Sequence, residues 1–150
     1  MVLVDKHTHT NLCDGNNTAE EMVQAAIAKG LKIIGFSGHS YTAFDLDFCM
    51  TEEATAEYIR QINELKEKYA DQIEILLGIE QDQCATYGIE DYDYAIGSTH
   101  YIWCGDEFFS VDYKAEILQD AADRYFDGDM YSVCELYFQT EAEVIEKTGA

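Results

Sequence analysis

Short apolar runs alternate with amphipathic stretches along this 150-residue chain, and this alternation limits its fold more than any other feature. The apolar runs predict strands at 2–5, in LKIIGFSGHS, in IEILLGIEQD and in YDYAIGSTHYI. Helical spacing predicts helices at about 18–29, 51–70, 114–126 and 130–147. The predicted order β-α-β-α-β-β-α-α indicates an α/β fold with a mainly parallel sheet.

Helix ends are also legible in the sequence. Thr18 followed by Glu21 predicts a capping box, and Gly30 predicts the end of the first helix. The other predicted boundaries are Thr51 and Asp129 as N-caps and Gly149 as a stop. The predicted buried face of the second helix consists of Tyr58, Ile62, Leu65 and Tyr69.

Composition is that of one ordinary domain, residues 1–150, with 47% hydrophobic residues and no evident linker or repeat. The formal net charge of −21 is extreme, and most of these carboxylates are expected on solvated faces. Such a surface repels nucleic acid and anionic membranes, so neither is an expected partner. A phosphate-bearing substrate would need positive charge from bound cations or from a few basic groups.

The cysteines and the N-terminus suggest where the protein resides. Five scattered cysteines without a CxxC motif do not form a disulfide framework, and they fit a reducing cytosol. The sequence shows neither a signal peptide nor an apolar run long enough to span a membrane. We therefore expect a cytoplasmic protein.

All four histidines follow or end predicted strands. His7 and His9 follow the first strand, His39 the second and His100 the fourth, while Glu80 ends the third. Residues at i and i+2 of a strand point to one face, so His7 and His9 could bind one metal. The carboxyl ends of parallel strands form a common rim where sites are built. Imidazole and carboxylate ligands suit zinc, iron or manganese, and several together predict a site for hydrolysing a phosphate ester.

Each of these residues also has a simpler interpretation. A lone strand-end histidine such as His100 is more often structural, and Asp14 before Gly15 is by itself a turn residue. Covalent catalysis is the competing chemistry, but Ser40 and Ser98 do not stand in a GxSxG elbow. Cys13 could be a reactive thiol only if a histidine lowered its pKa.

The segments DKHTHT, LCDG, GFSGHS, LLGIEQD and YDYAIGSTHYI, in this order, resemble the PHP family of metal-dependent phosphoesterases, the polymerase and histidinol phosphatase superfamily. The likeness spans nearly the whole chain and is greatest to the histidinol-phosphatase branch. It implies a partial TIM-like (β/α) barrel of the PHP type with two to three divalent metal ions (Zn, Mn or Fe) at its C-terminal rim. The implied reaction is hydrolysis of L-histidinol phosphate to L-histidinol and phosphate, in histidine biosynthesis.

The resemblance also implies roles for individual residues. His7 and His9 would bind one metal, Glu80 would bridge it to a second that His100 also binds, and Asp14 and His39 would hold a third. The implied catalytic residues are Glu80, Asp14 and His39. The predicted substrate contacts are Ser40, Tyr41, Gln81 and Asp82, and the aromatic and acidic loop SYTAFDLDF is the predicted leaving-group pocket.

The chain departs from the family pattern at its C-terminal side. Relatives have further ligands in later strands, whereas no histidine follows His100 here. The domain is therefore expected to be truncated, and the two arginines, Arg60 and Arg124, are expected on solvent-facing helices. A half barrel has open sheet edges, which predicts a homo-oligomer that closes them. The alternatives are a PHP phosphoesterase for another small phosphate ester and a catalytically incomplete metal-binding fragment.

Overall fold

The computed structural model describes residues 3–85 and 88–148, and these fall into two compact units. The first unit comprises Met1–Gln81 and Ala85–Ile96, and the second comprises Asp82–Cys84 and Gly97–Ala150. Within the described ranges, each helix is too short or too polar to cross a lipid bilayer.

Ten elements make up the described chain. The six strands are β1 (Val4–Thr8), β2 (Ile33–Phe36), β3 (Glu74–Asp82), β4 (Tyr94–Ser98), β5 (Tyr101–Cys104) and β6 (Glu107–Ser110). The four helices are α1 (Ala19–Ala28), α2 (Glu52–Lys68), α3 (Ala115–Tyr125) and α4 (Met130–Thr148).

The main sheet has the strand order β1-β2-β3-β4, and the β1–β2 and β2–β3 pairings are parallel. The prediction of an α/β fold with a mainly parallel sheet is therefore confirmed. The first strand lies later than predicted, because it extends through Thr8 and pairs there with Phe36. The Thr8 hydroxyl also donates to the Gly35 carbonyl at 2.8 Å. Val2, the predicted start of this strand, lies outside the described residues.

Helix capping in the first unit follows the sequence prediction. The Thr18 hydroxyl accepts from the Glu21 N–H, and the Glu21 carboxylate accepts from the Thr18 N–H at 2.8 Å. Gly30 follows α1 with a φ of 77°, a left-handed conformation that glycine adopts without strain. The predicted face of α2 is buried and packs into the core of this unit with strand residues; this face is Tyr58, Ile62, Leu65 and Tyr69.

The second unit contains a hairpin that the predicted element order lacks. The run YDYAIGSTHYI was predicted as one strand, but β4 ends at Ser98, and β5 pairs antiparallel with β6. Gly105, with a φ of 63°, lies in the turn between them, and Trp103 stands opposite Phe108. The sequence signal was present, since alternating apolar residues flank a Gly-Asp turn.

Helices α3 and α4 contribute to the core of the second unit. This core is made of Ile102, Cys104, Phe109, Ala121, Ala122 and Val133. Asp129 accepts from the Tyr131 N–H at 2.9 Å, as expected of the N-cap predicted for α4. Gly149, the predicted stop, lies outside the described residues.

Candidate metal centre

The parallel strands of the first unit bring the predicted ligands to one edge of the sheet. His7 lies within β1 and His9 follows it, whereas Glu80 lies near the end of β3. His39 lies three residues beyond β2 and forms a parallel bridge with Glu80. The placement of these side chains at the carboxyl ends of the strands is thus as the sequence predicted.

The carboxylate of Glu80 is the centre of this group. Its Oε2 atom lies 3.3 Å from His7 Nε2, 3.1 Å from His9 Nε2 and 3.2 Å from His39 Nδ1. Glu80 is only 6% exposed. A buried carboxylate is costly unless it is paired, so three imidazoles around one oxygen offset that cost.

Asp14 joins the group from the loop after β1. Its Oδ1 atom lies 2.7 Å from His9 Nδ1, and its Oδ2 atom lies 3.4 Å from His39 Nε2. The loop turns back because the Cys13 and Gly15 N–H groups both donate to the Thr10 carbonyl, at 3.1 and 3.0 Å. A Cβ at residue 15 would lie 2.8 Å from backbone atoms of His9 and Thr10, so only glycine fits this turn.

The electrostatics of the group favour positive charge. Interactions with Cys13, with the nearby Glu80 carboxylate and with Asp14 raise the pKa of His9 to about 11, although burial acts to lower it. Burial is the largest influence on the pKa of both Asp14 and Cys13 and acts to raise it. Hydrogen bonds with His9, the charge of His39 near Asp14 and backbone hydrogen bonds to Cys13 together outweigh burial, so each pKa is lowered. Negative groups that hold a proton this firmly are also suited to hold a metal cation.

The sequence did not show whether a histidine lies close enough to Cys13 to lower the pKa of its thiol. Its thiol lies 3.4 Å from the Thr10 carbonyl oxygen, to which it donates, and it is half-buried. In the structure His9 is that histidine, and its hydrogen bond acts to lower the pKa of the thiol. The spacing Cys13–Asp14 was the available sequence signal, but only the folded loop places the thiol beside that imidazole.

The donor set fits divalent metal ions. Within the described residues of the first unit, two sets of three donors have ligand atoms within 4.8 Å of one another; they are His7, His9 and Glu80, and His9, Asp14 and His39. Among the described residues, His9 Nε2 is buried and forms no hydrogen bond, although Glu80 Oε2 lies near it. Buried nitrogens normally have a hydrogen-bond partner, so a buried nitrogen without one, among carboxylate and imidazole donors, fits the role of a metal ligand.

His100 lies in the second unit, in the break between β4 and β5. There its Nδ1 atom lies 3.0 Å from Oδ2 of Asp82. Its predicted role as a ligand of a second metal remains a prediction.

The residues predicted to contact substrate differ in their surroundings. Ser40 and Gln81 are buried, and the Ser40 N–H donates to the Glu80 carbonyl at 2.9 Å. Tyr41 is half-buried. Asp82 is buried beside His100 in the second unit. Their contacts with substrate remain predictions.

Both arginines are on helices and face solvent, as predicted. Arg60 pairs with Glu57 and Glu64, and Arg124 pairs with Glu107 and Asp120. Each guanidinium is therefore engaged with surface carboxylates in the described structure.

Comparisons with known proteins place these observations in a family. The PHP domain family matches residues 5–146. The "Probable histidinol-phosphatase" of Deinococcus radiodurans is 33% identical over 111 residues, which is 67% of this chain and 43% of that protein.

Two solved structures share the fold. HisK from Listeria monocytogenes superposes with a TM-score of 0.64 at 24% identity, over 83% of this chain and 59% of that one. Histidinol phosphate phosphatase from Lactococcus lactis, solved with zinc, L-histidinol and phosphate, gives a TM-score of 0.53 at 23% identity, over 82% and 54% of the two chains. The chain thus spans roughly half the length of the relatives it matches, and its fold is the partial TIM-like barrel expected of the PHP type. The chain belongs to the PHP domain family.

Proposed function

We propose that this chain is the metal-binding part of a metal-dependent phosphomonoesterase of the histidinol-phosphatase type. The observation that carries the proposal is the convergence of three imidazole nitrogens on Glu80 Oε2, at 3.1 to 3.3 Å. Membership of the PHP family and the names of the relatives support the same activity. The proposed reaction is L-histidinol phosphate plus water to L-histidinol plus phosphate.

The proposed metal ligands form two sets. His7, His9 and Glu80 would hold one metal ion, while Asp14 and His39 would hold another. Glu80 has two carboxylate oxygens and can serve two ions, and His100 is a further proposed metal ligand. Glu80, Asp14 and His39 are the proposed catalytic residues, because they would fix the position of the ions that face the phosphoryl group.

Bound divalent ions would polarise the phosphoryl group and lower the pKa of a coordinated water, which is the chemistry that a phosphomonoesterase needs. The protein's own contribution is to hold the ligands in place. The ions would also supply positive charge to a chain whose formal net charge is −21. Zinc is the metal of the Lactococcus lactis structure, and the same ligands suit manganese and iron.

The loop at 40–48 is the proposed contact for the leaving group. It follows His39 directly and exposes Phe44, Leu46 and Phe48 by 40%, 51% and 45%. Aromatic and acidic side chains together would suit a cationic imidazole-amine such as histidinol. Ser40, Tyr41 and Gln81 belong to the same proposal.

Kinetics of phosphate release from L-histidinol phosphate, with zinc or manganese supplied, test this function. We expect turnover in the wild type and a loss of more than about 100-fold in Glu80→Gln, since even outer partners of metal ligands cost 10- to 100-fold. The matched control is Glu74→Gln, on the exposed start of the same strand, and it should retain wild-type activity.

Other results would select the alternatives. Release of phosphate from sugar phosphates or nucleotides but not from histidinol phosphate would indicate another PHP phosphoesterase. Stoichiometric metal without turnover of any ester would indicate a catalytically incomplete fragment. We also propose a cytoplasmic location and self-association that closes the sheet edges. A single monomeric species in sedimentation would contradict the proposed self-association.

A further inference from the structure

The carboxylate of Asp82 holds His100 at two points. Its Oδ2 atom accepts from the His100 backbone N–H at 2.9 Å and lies 3.0 Å from the Nδ1 atom of the same residue. Its Oδ1 atom accepts from the Cys84 N–H at 2.8 Å. Asp82 is 6% exposed, so these contacts are shielded from water. The backbone and the ring of His100 are thus fixed by the same side chain.

The chemistry of this pair determines which ring nitrogen carries the proton. An ionised carboxylate can only accept, so the Nδ1 atom of a neutral His100 must be the donor. Both carboxylate oxygens of Asp82 already accept a backbone N–H, from His100 and from Cys84, which is the arrangement of an ionised aspartate. The Nε2 atom then keeps its lone pair, and the Ser98 hydroxyl oxygen lies beside the ring, 3.2 Å from Nε2 and 3.4 Å from Nδ1.

We infer that Asp82 is a positioning residue that holds His100 in the Nδ1–H tautomer, so that Nε2 is the atom presented to a metal ion. Histidines that bind metals commonly donate their other ring N–H to a carboxylate, which fixes the ring and strengthens the ligand. The inference rests on the proposed function, since it takes His100 to be a ligand. The expectation that Asp82 contacts substrate stays a separate prediction.

The tautomer can be measured without a metal. Long-range ¹H–¹⁵N correlation spectra of the metal-free wild-type chain, at a pH where His100 is neutral, distinguish a protonated Nδ1 from a protonated Nε2. We expect a protonated Nδ1, whereas an isolated neutral imidazole in water favours protonated Nε2. A protonated Nε2 at His100 would overturn the inference, and this result does not depend on any variant folding.

Substitution then tests the effect on metal binding. Asp82→Asn keeps the size of the side chain but removes its charge, and zinc affinity measured against a chromophoric chelator should fall by about 10- to 100-fold. Asp112→Asn, which removes an exposed carboxylate of the same unit, should leave the affinity unchanged. Wild-type affinity and an unchanged His100 tautomer in Asp82→Asn would refute the positioning role.

The proposed function and this inference can fail separately. A chain that binds no zinc and releases no phosphate would refute the proposed function, while the tautomer would still decide whether Asp82 controls His100. Conversely, an active chain with protonated Nε2 at His100 would refute the inference alone.

Discussion

Gly78 in β3 lies so close to the ring of Tyr94 that a side chain at this position should destabilise the protein. A Cβ at this position would lie 2.2 Å from Cζ and 2.3 Å from Cε1 of Tyr94, and 2.7 Å from the Phe36 carbonyl oxygen. Carbon atoms in contact normally pack at about 3.5–4.0 Å, so the ring of Tyr94 would have to move by more than about 1 Å. Its hydroxyl lies 2.6 Å from the Lys6 carbonyl oxygen and 3.1 Å from that of Phe36, and such a movement would break these contacts.

The expected cost of Gly78→Ala combines two effects. Overpacking a well-filled core costs about 1–3 kcal/mol, and loss of the Tyr94 hydrogen bond adds about 1 kcal/mol. We therefore expect the substitution to lower the free energy of unfolding by about 3 kcal/mol. With a urea dependence of about 1–3 kcal/mol per molar, the unfolding midpoint should fall by about 1–3 M.

Urea denaturation of the metal-free protein, followed by far-ultraviolet circular dichroism, measures this change. Trp103, the single tryptophan, lies in the second unit, so its fluorescence reports that unit separately. Gly30→Ala is the matched control, because Gly30 has a φ of 77° with nothing within 4 Å of its Cβ position, and it should cost only about 1–2 kcal/mol of backbone strain. Undiminished stability in Gly78→Ala, or an equal loss in a Tyr94→Ala background, would refute the packing argument.

Two further predictions concern the first unit. The Asp93 carboxylate accepts from the Leu77 N–H at 2.7 Å and from Lys66 at 2.6 Å, and these bonds outweigh burial and lower its pKa. Because the folded-state pKa is depressed, the stabilisation is present above the ordinary value of about 4 and is lost as the pH falls through the folded-state value. Asp93→Asn should therefore lower the urea midpoint at pH 7 and have a diminishing effect in acid; an effect independent of pH would contradict this assignment. Thr18→Ala should cost about 1 kcal/mol by removing the capping box with Glu21, whereas Thr18→Ser should restore most of it in the same denaturation assay.

Local features of the fold were predictable because their causes are local. The Thr18–Glu21 box, the left-handed Gly30 and the buried face of α2 each depend on residues within a few turns of one another. The placement of histidines at the carboxyl ends of strands followed from the topology of a parallel sheet. The hairpin of β5 and β6 was legible from the Gly105 turn and was missed because the run through His100 was taken as one strand.

Other features required the folded structure. Asp82 and His100 are 18 residues apart, and nothing in the spacing indicates that the carboxylate contacts both the backbone and the ring of the histidine. The contact of Cys13 with His9 likewise depends on the path of one loop. Only glycine at position 15 permits that path. Interactions of this kind are decided by tertiary packing, so a single sequence carries little information about them.

Metal content of the purified chain tests the central claim most directly. After exposure to zinc and dialysis, elemental analysis should find about two ions per wild-type chain, as in other two-metal hydrolases. The zinc content should fall in Glu80→Gln, which removes the charge of the carboxylate that three imidazoles contact, and should be unchanged in Glu74→Gln. Wild-type chains that retain no zinc, or equal content in both variants, would contradict the assignment of a metal centre to these residues.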